Sequence, residues 1–446
     1  MKNRKVRPIA KQRTYVPVSH KFFIACTTSI VWLLLSVWLS LTWIDDLAQL
    51  VPYWLAASII TLIAFLPGFI NAFVCTALLL DERPIRKVLT DYPSITILIA
   101  AYNEAAVIQK TLRSLQKQNY PSNVYIIVIN DGSTDETANE VMELIPEIHG
   151  LSLMNLHQNV GKAQALNRGL QEVYTEHVIT IDADCHVRYN ALTHIVERYL
   201  SDPPNTKAVA GAVLAGNSRQ NWITKAQEWD YFLGIAASKR IQSLFQGTLV
   251  AQGAFSMYDT QVIRALGGWP NTVGEDIVLS WNLLTHGYRI GYAEDAMVFT
   301  DCPSTLKQFI RQRQRWSRGL IEAFKFNPSL ALKPRFTLLF IWWNALFPLM
   351  DVAYTMAYLP GLILALFGIF WLAGPMTLAL IPPSLLLGWV MYKAGRQVFD
   401  QEYLRIRTNK SGFIFYILAY GMILQPACVW GYLTELMMRQ KYWGTK

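Results

Sequence analysis

Acidic residues stand directly after short hydrophobic runs at several points of this sequence. Asp182 and Asp184 follow the run HVITI, and Asp131 follows the run VYIIVIN. Two carboxylates two residues apart can hold a hard divalent ion that bridges the oxygens of a diphosphate. An Asp-x-Asp occurs by chance roughly once in a chain of this length, so its place after a hydrophobic run is what favours a metal site.

Four other short motifs carry polar side chains suited to binding or catalysis. They are Tyr102-Asn103-Glu104, Gly161-Lys162, Gly274-Glu275-Asp276 and Gln312-Arg313-Gln314-Arg315-Trp316. Each motif also has a purely structural interpretation. The acids can cap helix N-termini, where negative charge is favoured, and the basic motif can face a membrane surface with its tryptophan as an anchor.

Hydrophobic runs that alternate with helical stretches predict the element that positions these motifs. Strands are predicted over 94–101, 124–130, 151–157 and 177–182, with helices over 105–118 and 163–174. Alternating strands and helices form a mainly parallel sheet, and ligands bind outside the carboxyl ends of its strands. The sequence therefore predicts an α/β domain in which Glu104, Asp131, Asp182 and Asp184 lie at one edge.

Two long apolar segments precede this domain. Residues 22–44 and 47–80 contain no charged side chain, and about 20 apolar residues are enough to cross a bilayer. Asp45 and Asp46 are predicted to form the turn between the two spans. The basic residues of the N-terminus place it on the cytoplasmic side, so the hairpin returns the chain to the cytoplasm at Asp81.

A basic amphipathic segment follows the domain. Apolar residues recur at helical spacing over 305–324, and lysine and arginines occupy the other faces. This pattern predicts a helix on the membrane surface, and a surface helix of the soluble domain is the alternative.

Further apolar segments complete the chain. Residues 336–392 contain one charge, Asp351, and are long enough for two spans, while 411–434 supply a third. A fourth span remains open because Gly374-Pro375 and Pro382-Pro383 can break a helix. Asp351 lies either at the membrane edge or inside the membrane facing a pore, and we favour the pore because a buried intramembrane charge is costly without a function.

The formal net charge of +9 does not indicate a nucleic-acid partner. The basic residues cluster at the N-terminus and over 307–335, each time next to an apolar run, which is the expected cytoplasmic flank of a membrane span. No basic-aromatic recognition module is present. The lipid bilayer is the predicted partner of these charges, and a nucleic-acid partner is not expected.

The order of these motifs, flanked by predicted spans, resembles the processive family 2 glycosyltransferases. That group includes the poly-N-acetylglucosamine, hyaluronan, chitin and cellulose synthases. The resemblance covers about residues 20–435 and is most specific at LHQNVGKAQALNRG (156–169), DAD (182–184), GED (274–276) and QRQRW (312–316). The length, the two N-terminal spans and VAQGAFSMYD (250–259) look like those of poly-β-1,6-N-acetylglucosamine synthases.

The resemblance implies a cytosolic α/β domain of the GT-A type joined to a helical transmembrane region. The implied domains are a basic N-terminus with two transmembrane helices (1–80), the GT-A domain (81–302), amphipathic interface helices with the Gln-x-x-Arg-Trp motif (303–335) and a C-terminal transmembrane region of about three helices (336–446). It also implies a multi-pass protein of the cell (inner) membrane whose catalytic domain is cytoplasmic.

Roles for single residues follow from the same resemblance. The UDP-sugar donor would contact Ala101, Tyr102, Glu104, Asp131, Lys162, Asp182, Gln312 and Arg315. A Mg²⁺ or Mn²⁺ ion would be held by Asp184 and Asp182. Asp276 would be the general base, with Glu275 and Arg315 as the other catalytic residues. The growing polysaccharide acceptor would contact Trp316, Gly253 and Glu275.

The function implied is a processive, inverting polymerisation of N-acetylglucosamine from UDP-N-acetylglucosamine into an exported β-linked exopolysaccharide. The alternatives are a hyaluronan, chitin or glucan synthase, a non-processive membrane glycosyltransferase, and an inactive transport or scaffold subunit. Non-processive relatives commonly lack Gln-x-x-Arg-Trp, and an inactive subunit is expected to have lost Asp184, Asp276 or Arg315. All of these residues are present. A small membrane partner subunit is also compatible with the resemblance.

Two positions depart from the pattern of these enzymes. Their frequent proline before the first motif is Ala100 here, and their frequent Thr-Glu-Asp is Gly274-Glu275-Asp276. The second change keeps both acids but loosens the backbone in front of them.

Overall fold

A computed structural model of the chain describes residues 16–82, 86–404 and 408–437, with only the backbone of Met376. The basic N-terminal residues on which the predicted orientation depends lie outside these ranges. The basic residues of the C-terminal tail, Arg439, Lys441 and Lys446, also lie outside them.

Two long apolar helical segments begin the described chain, and the connection between them is itself helical. The elements are α1 (Val18–Leu39), α2 (Leu41–Ala48), α3 (Tyr53–Ile60), a π-helical turn (Thr61–Phe65) and α4 (Leu66–Leu80). The turn predicted at Asp45 and Asp46 is wrong, because both residues lie within α2. Helix α2 buries Trp43, Ile44 and Leu47 on one face and leaves the two carboxylates exposed on the other.

An eight-stranded sheet forms the centre of the domain that follows. Its strands are β1 (Ile95–Ala101), β2 (Val124–Asp131), β3 (Leu151–Leu156), β4 (His177–Ile181), β5 (Cys185–Val187), β6 (Thr206–Ala215), β7 (Phe255–Asp259) and β8 (Arg289–Thr300). Their order is β3-β2-β1-β4-β7-β6-β8-β5. Strand β7 runs antiparallel to β4 and β6, and β5 runs antiparallel to β8, while the other pairs are parallel. The predicted α/β class with a mainly parallel sheet is confirmed, but the prediction identified only β1 to β4.

Helices cover both faces of this sheet. They are α5 (Ala105–Gln116), α6 (Thr137–Met142), α7 (Lys162–Gln171), α8 (Ala191–Ser201), α9 (Trp222–Trp229), a π-helical segment (Asp230–Ile235), α10 (Ala236–Leu244), α11 (Thr260–Ala265) and α12 (Glu275–Thr285). Strand β1 is buried along its whole length because it has helices on both sides, which explains its unbroken apolar sequence.

The remaining elements contain the predicted interface helix and the C-terminal apolar segments. They are α13 (Leu306–Phe326), a 3-10 turn (Pro328–Leu332), α14 (Leu338–Ala353), a π-helical turn (Tyr354–Tyr358), α15 (Leu359–Leu366), α16 (Pro375–Ala379), α17 (Ile381–Gln401), α18 (Lys410–Leu418) and α19 (Tyr420–Leu436). In the described ranges, helices over 18–39, 53–80, 338–366 and 377–401 are long and apolar enough to cross a membrane. The pair α18–α19, bent by 51°, would be a fifth.

Asp351 lies within one of these apolar helices rather than at its end. It belongs to α14, and the Tyr432 hydroxyl of α19 donates a hydrogen bond to its Oδ2 at 2.9 Å. The carboxylate therefore joins two helices of the apolar region.

One hydrophobic core joins the sheet to the apolar helices. Phe73 of α4 and Phe340 of α14 belong to the same buried cluster as Ile129 of β2 and Trp281 of α12. The opposite face of the sheet packs against α5, α6 and α8 in a separate cluster. The carboxyl edge of β1, β2 and β4 consequently has a fixed position relative to the helices that carry the basic motif.

Candidate active site

The first two loops at the carboxyl edge of the sheet are hydrogen-bonded to each other. Asn103, after β1, has a left-handed backbone with φ 57°, and its N–H donates to Ser133 Oγ at 3.0 Å. The side-chain oxygen of Asn103 accepts the N–H of Thr134 at 2.9 Å. These bonds hold the half-buried Tyr102 and Glu104 beside the end of β2.

Asp131 ends β2 and holds the loop that leads into α7. Its Oδ1 accepts the N–H of Val160 at 2.8 Å, and its Oδ2 accepts that of Gly161 at 2.9 Å. Burial raises the pKa of the Asp131 carboxyl, and the two backbone N–H groups oppose this shift. Gly161 has a φ of 89°, a conformation that glycine adopts without strain. Asp131 therefore positions Lys162, the first residue of α7.

Lys162 lies between two predicted site carboxylates. Its Nζ is 2.6 Å from Asp182 Oδ1 and 3.4 Å from Glu275 Oε1. Burial alone would lower the pKa of Lys162, but the charges of Asp182, Glu275 and Asp276 outweigh it and raise the pKa. The Lys162 side chain is 15% exposed and remains protonated, so it supplies a fixed positive charge beside the end of β4.

Asp182 and Asp184 follow β4 on either side of the buried Ala183. Asp184 Oδ1 accepts a hydrogen bond from Thr300 Oγ1 at 3.3 Å. Asp182 Oδ1 is already engaged by Lys162. Carboxylate oxygens suit Mg²⁺ or Mn²⁺, and Mg²⁺ usually takes one or two carboxylates and completes its shell with water and substrate phosphates. The donor set fits such an ion, with Asp184 and Asp182 as the carboxylate ligands.

A compact group of three potential metal ligands lies elsewhere in the described residues. It consists of His194, Asp295 and Glu402, whose ligand atoms lie within 4.8 Å of one another. Arg188 Nη2 is 3.3 Å from Glu402 Oε2, and His194 Nδ1 is 3.1 Å from the carbonyl oxygen of Asp295. These contacts join α8 and β8 to the segment after α17, and Asp295 Oδ1 is buried without a hydrogen-bond partner among the described residues.

Asp276 lies at the start of α12 with both carboxylate oxygens oriented by backbone N–H groups. Oδ2 accepts the N–H of Gly253 at 3.1 Å, and Oδ1 accepts the N–H of Ile277 at 2.7 Å. A Cβ on Gly253 would lie 2.6 Å from Lys162 Nζ, so the missing side chain leaves room for that cation. Burial raises the pKa of the neighbouring Glu275, an effect that Lys162 opposes.

The structure gives a physical reason for glycine in the Gly274-Glu275-Asp276 motif. A Cβ on Gly274 would lie 2.5 Å from the Cα of Gly319 on α13. The N–H of Gly274 also donates to the buried Glu322 Oε2 at 2.9 Å. The start of α12 and the middle of α13 therefore meet backbone to backbone, which fixes the distance between the two motifs.

We expect Gly274→Thr, which restores the frequent residue of related enzymes, to disturb this contact. Overpacking of this kind costs about 1–3 kcal/mol of folding stability, and a displacement of about 1 Å at a reacting group can cost on the order of 10²-fold in rate. The thermal midpoint in detergent and the rate of sugar transfer measure the two effects. Asn271→Thr adds the same side chain at an exposed position of the same loop and is the matched control. Unchanged stability and rate in Gly274→Thr would show that the contact is not tight.

A buried lysine lies behind the loop that carries Gly253. Lys239 of α10 is 7% exposed, and its Nζ donates to the carbonyl oxygen of Val250. Burial lowers the pKa of Lys239 to about 7, although the charge of Asp276 acts in the opposite direction. Desolvation weakens proton binding by this amine, so the pKa of Lys239 is lower in the folded chain than in the unfolded chain.

The titration of Lys239 predicts a pH-dependent stability. Between pH 7 and about 10.4 the unfolded chain holds a proton on this lysine that the folded chain does not hold, so unfolding becomes less favourable as the pH rises. The free energy of unfolding of the parent should therefore increase relative to Lys239→Met by up to about 1.4 kcal/mol per pH unit. Thermal midpoints at pH 7, 8 and 9 in one detergent test this. A constant difference between the two proteins across that range would contradict it.

The predicted basic motif lies on α13 with its residues in different environments. Trp316 is 39% exposed, and Arg315 is half-buried and close enough for its charge to lower the pKa of Glu275. Gln312 Oε1 is buried and, among the described residues, has no hydrogen-bond partner. Arg315 and Glu275 thus connect the α13 motif with Lys162 and Asp182.

Two residues that the sequence did not single out hold Arg313 of this motif in place. Arg313 of α13 forms an ion pair with Asp230 of the π-helical segment and donates a hydrogen bond to Tyr420 of α19. Tyr420 donates a hydrogen bond to Asp230, and all three residues are buried. No sequence signal identifies Asp230 or Tyr420, because they lie 83 and 107 residues from their arginine partner in the chain. Arg313 itself lies within the motif and was treated as a surface residue.

The predicted site residues form three groups. The first is the Lys162 cluster, in which Lys162 pairs with Asp182 and Glu275, and Gly253 lies next to Lys162 and donates its N–H to Asp276. The residues at the surrounding edge are Ala101, Tyr102, Glu104, Asp131 and Asp184, and those on α13 are Gln312, Arg315 and Trp316. Asp131 accepts hydrogen bonds from the backbone N–H groups of Val160 and Gly161, a contact that the prediction did not include.

The domain matches a known protein family. The family model for glycosyl transferase family 2 matches residues 96–267. A poly-β-1,6-N-acetyl-D-glucosamine synthase of Staphylococcus aureus (strain COL) is 34% identical over 241 residues, which are 54% of this chain and 57% of that protein. The synthase of Staphylococcus epidermidis is 32% identical over 247 residues, 54% of this chain and 59% of that protein. The chain thus spans somewhat more than half the length of these curated relatives.

A solved structure has a similar fold. A mannosyltransferase from Pyrobaculum calidifontis, in complex with GDP-Man and Mn²⁺, superposes with a TM-score of 0.57 at 19% identity and covers 86% of this chain and 99% of that one. At this identity the likeness concerns the fold. Residues 96–267 thus match glycosyl transferase family 2 and lie in a domain with the GT-A fold, which is joined to helices apolar enough to cross a membrane.

Proposed function

We propose that this chain is a processive, inverting glycosyltransferase of the cell membrane that polymerises N-acetylglucosamine from UDP-N-acetylglucosamine. The observation that carries the proposal is the convergence of Lys162, Asp182, Glu275 and Asp276 next to α13. This cluster contains groups that can bind a diphosphate leaving group. It also contains a carboxylate that can accept the proton of an acceptor hydroxyl. The similarity to poly-β-1,6-N-acetyl-D-glucosamine synthases supports the choice of sugar.

In the proposed reaction, Asp276 accepts the proton of the acceptor hydroxyl. A sugar hydroxyl is a poor nucleophile at neutral pH, so a positioned carboxylate must take its proton as the new bond forms. The hydroxyl oxygen attacks the anomeric carbon from the side opposite to UDP. The bond from that carbon to the diphosphate breaks, its electron pair leaves with UDP, and the configuration inverts.

The charge that develops on the leaving diphosphate needs fixed positive partners. Lys162 is held beside Asp182, and Arg315 lies near Glu275, so both cations are available without reorganisation. A Mg²⁺ or Mn²⁺ ion held by Asp184, with Asp182 nearby, would neutralise part of the same charge. Tyr102 and Glu104 line the edge where the uridine would bind, and the buried Asp131 would support that edge through the loop before Lys162. The Gln312 side chain, whose Oε1 has no partner in the described chain, would contact the donor from α13.

Export through the membrane is part of the proposal. The domain shares a hydrophobic core with α4 and α14, and α13 packs against α19, so a product formed at Trp316 would emerge next to the apolar helices. A Cβ on Gly431 of α19 would lie 2.6 Å from the carbonyl oxygen of Gln314, which shows how closely these two helices approach. We propose a cytoplasmic catalytic domain over 81–302, interface helices over 303–335, and a membrane region that is completed by 1–80 and 336–446. A small membrane partner subunit is compatible with this arrangement.

The test is polymer synthesis by the purified protein in detergent or nanodiscs with Mg²⁺ and one UDP-sugar at a time. UDP-N-acetylglucosamine alone should yield a polymer that a hydrolase specific for β-1,6-linked N-acetylglucosamine degrades. Long chains that form early, while most acceptors are still unextended, would establish processivity.

Other results would reassign the function. Polymer from UDP-glucose, or a strict need for two alternating donors, would indicate another synthase of this family. A single added sugar per acceptor would indicate a non-processive transferase. No transfer from any UDP-sugar, with UDP still bound, would favour an inactive subunit.

A further inference from the structure

A buried cation lies directly behind the exposed tryptophan of α13. The guanidinium carbon of Arg313 is 4.1 Å from the centre of the Trp316 ring. The Arg313 side chain is 5% exposed, whereas Trp316 is 39% exposed. One face of the indole is therefore covered by the guanidinium, and part of the ring is open. A guanidinium stacked on an indole also restrains the orientation of that ring.

Arg313 is itself held by two buried partners. Its Nη2 lies 2.9 Å from Asp230 Oδ2 and donates to the Tyr420 hydroxyl at 2.9 Å. The Tyr420 hydroxyl in turn donates to the same Asp230 oxygen at 2.9 Å. All three residues are at least nine-tenths buried. A buried charge is stable only when it is paired and hydrogen-bonded, so the guanidinium has one favoured position.

The two partners come from different parts of the chain. Asp230 begins the π-helical segment 230–235, and the ring of the next residue, Tyr231, lies 6.3 Å from the Trp316 ring. Tyr420 is the first residue of α19, immediately after the bend between α18 and α19. π-Helical segments occur frequently at functional sites. The orientation of Trp316 is thus set jointly by α13, the π-helical segment and the last apolar helix.

We propose that Arg313 is a positioning residue for the acceptor, which holds the Trp316 indole in the plane on which the terminal sugar of the growing chain packs. Asp230 and Tyr420 hold Arg313 in turn. The inference rests on the proposed function, because Trp316 contacts an acceptor only if the chain extends a saccharide. Arg313 has no contact with the Lys162 cluster among the described hydrogen bonds and ion pairs, so its effect should be confined to the acceptor.

Arg313→Lys is the informative variant. An ammonium group can keep the ion pair with Asp230 but has no planar face to stack on the indole. We expect the KM for a β-1,6-linked N-acetylglucosamine oligosaccharide acceptor to rise about tenfold, because the stacked guanidinium no longer restrains the indole plane. The KM for UDP-N-acetylglucosamine and its slow hydrolysis without acceptor should not change. Arg311→Lys makes the same substitution at an exposed position of the same helix and should leave all these values unchanged.

Tyr420→Phe provides an independent measurement. It removes one hydrogen bond from Arg313 and keeps the ion pair, so the acceptor KM should rise by a smaller factor, about two- to fivefold. If Arg313→Lys does not fold, this variant decides the question, and an unchanged acceptor KM overturns the proposal. If Arg313→Lys folds and raises the donor and acceptor KM equally, Arg313 has a general structural role and the proposal is wrong.

Failure of the proposed function can be distinguished from failure of this inference. A parent protein that transfers no sugar rules out the function. Calorimetric titration of the oligosaccharide into the parent and Arg313→Lys then still compares acceptor binding directly. Weaker binding to the variant supports the positioning role, and equal affinity or no binding to the parent overturns it.

Discussion

Asp276→Asn should reduce polymer synthesis by about 10²-fold or more, the usual range for loss of a general base. The substitution keeps the size of the side chain and removes the proton acceptor. Both oxygens of Asp276 accept backbone N–H bonds, from Gly253 and Ile277, so the carboxylate is already oriented in the folded protein. The rate of transfer from UDP-N-acetylglucosamine, together with UDP affinity from calorimetry, measures the effect.

The neighbouring acid supplies the control for this prediction. Glu275→Gln removes one partner of Lys162 but leaves its closer contact with Asp182, so the loss of activity should be smaller. UDP should still bind to Asp276→Asn, because Asp276 contacts the backbone rather than the loops after β1 and β2. Near-normal polymerisation by Asp276→Asn, or loss of its UDP binding, would mean that Asp276 is structural.

Asp184→Asn should abolish transfer and weaken the effect of metal on UDP affinity. The amide keeps the hydrogen bond from Thr300 Oγ1 but is a poorer ligand for Mg²⁺ or Mn²⁺ than a carboxylate. Loss of a metal that stabilises a developing diphosphate charge removes several kcal/mol of transition-state stabilisation, which corresponds to at least about 10³-fold in rate. Calorimetric titration of UDP with and without Mg²⁺ measures the effect of metal on UDP affinity. Activity at a range of Mg²⁺ and Mn²⁺ concentrations measures the loss of transfer.

Asp45→Asn is the matched control for the charge change, since Asp45 is exposed on α2. It should leave both activity and metal response intact. Full activity of the parent protein in excess EDTA would contradict the metal site, and so would an Asp184→Asn protein with the parental metal response. Thr300→Val, which removes the hydrogen bond to Asp184, should produce an intermediate loss.

The sheet strands at the candidate site could be predicted from sequence because their signal is local. Strands β1 and β4 are short β-branched runs buried along their whole length, and β2 is such a run buried from Ile126 onward. Each predicted boundary lies within one residue of the observed one. The prediction of helix α13 also rested on a local pattern, the helical spacing of apolar and basic residues. Strands β5 to β8 were missed, although they complete the sheet, in which β7 runs antiparallel to β4 and β6 and β5 runs antiparallel to β8.

Local patterns were less informative at breaks between apolar helices. Two charges at Asp45 and Asp46 indicated a turn, but the neighbouring Trp43 donates its indole N–H to the carbonyl oxygen of Leu372 at 2.8 Å. This long-range contact favours a short helix that buries its apolar face. The charges then lie on the exposed face, where they do not interrupt the helix.

The sequence by itself determined the family pattern, the α/β class and the set of chemical groups, because these depend on residue types and on short-range periodicity. Only the tertiary structure decided how those groups are used. Lys162 pairs with Asp182 and Glu275, Asp131 holds the loop before Lys162, and Gly274 meets Gly319 without room for a side chain. Each contact joins residues that are 20 or more positions apart. The energies of such contacts depend on burial and on angles set by the whole fold, which no local window of sequence contains.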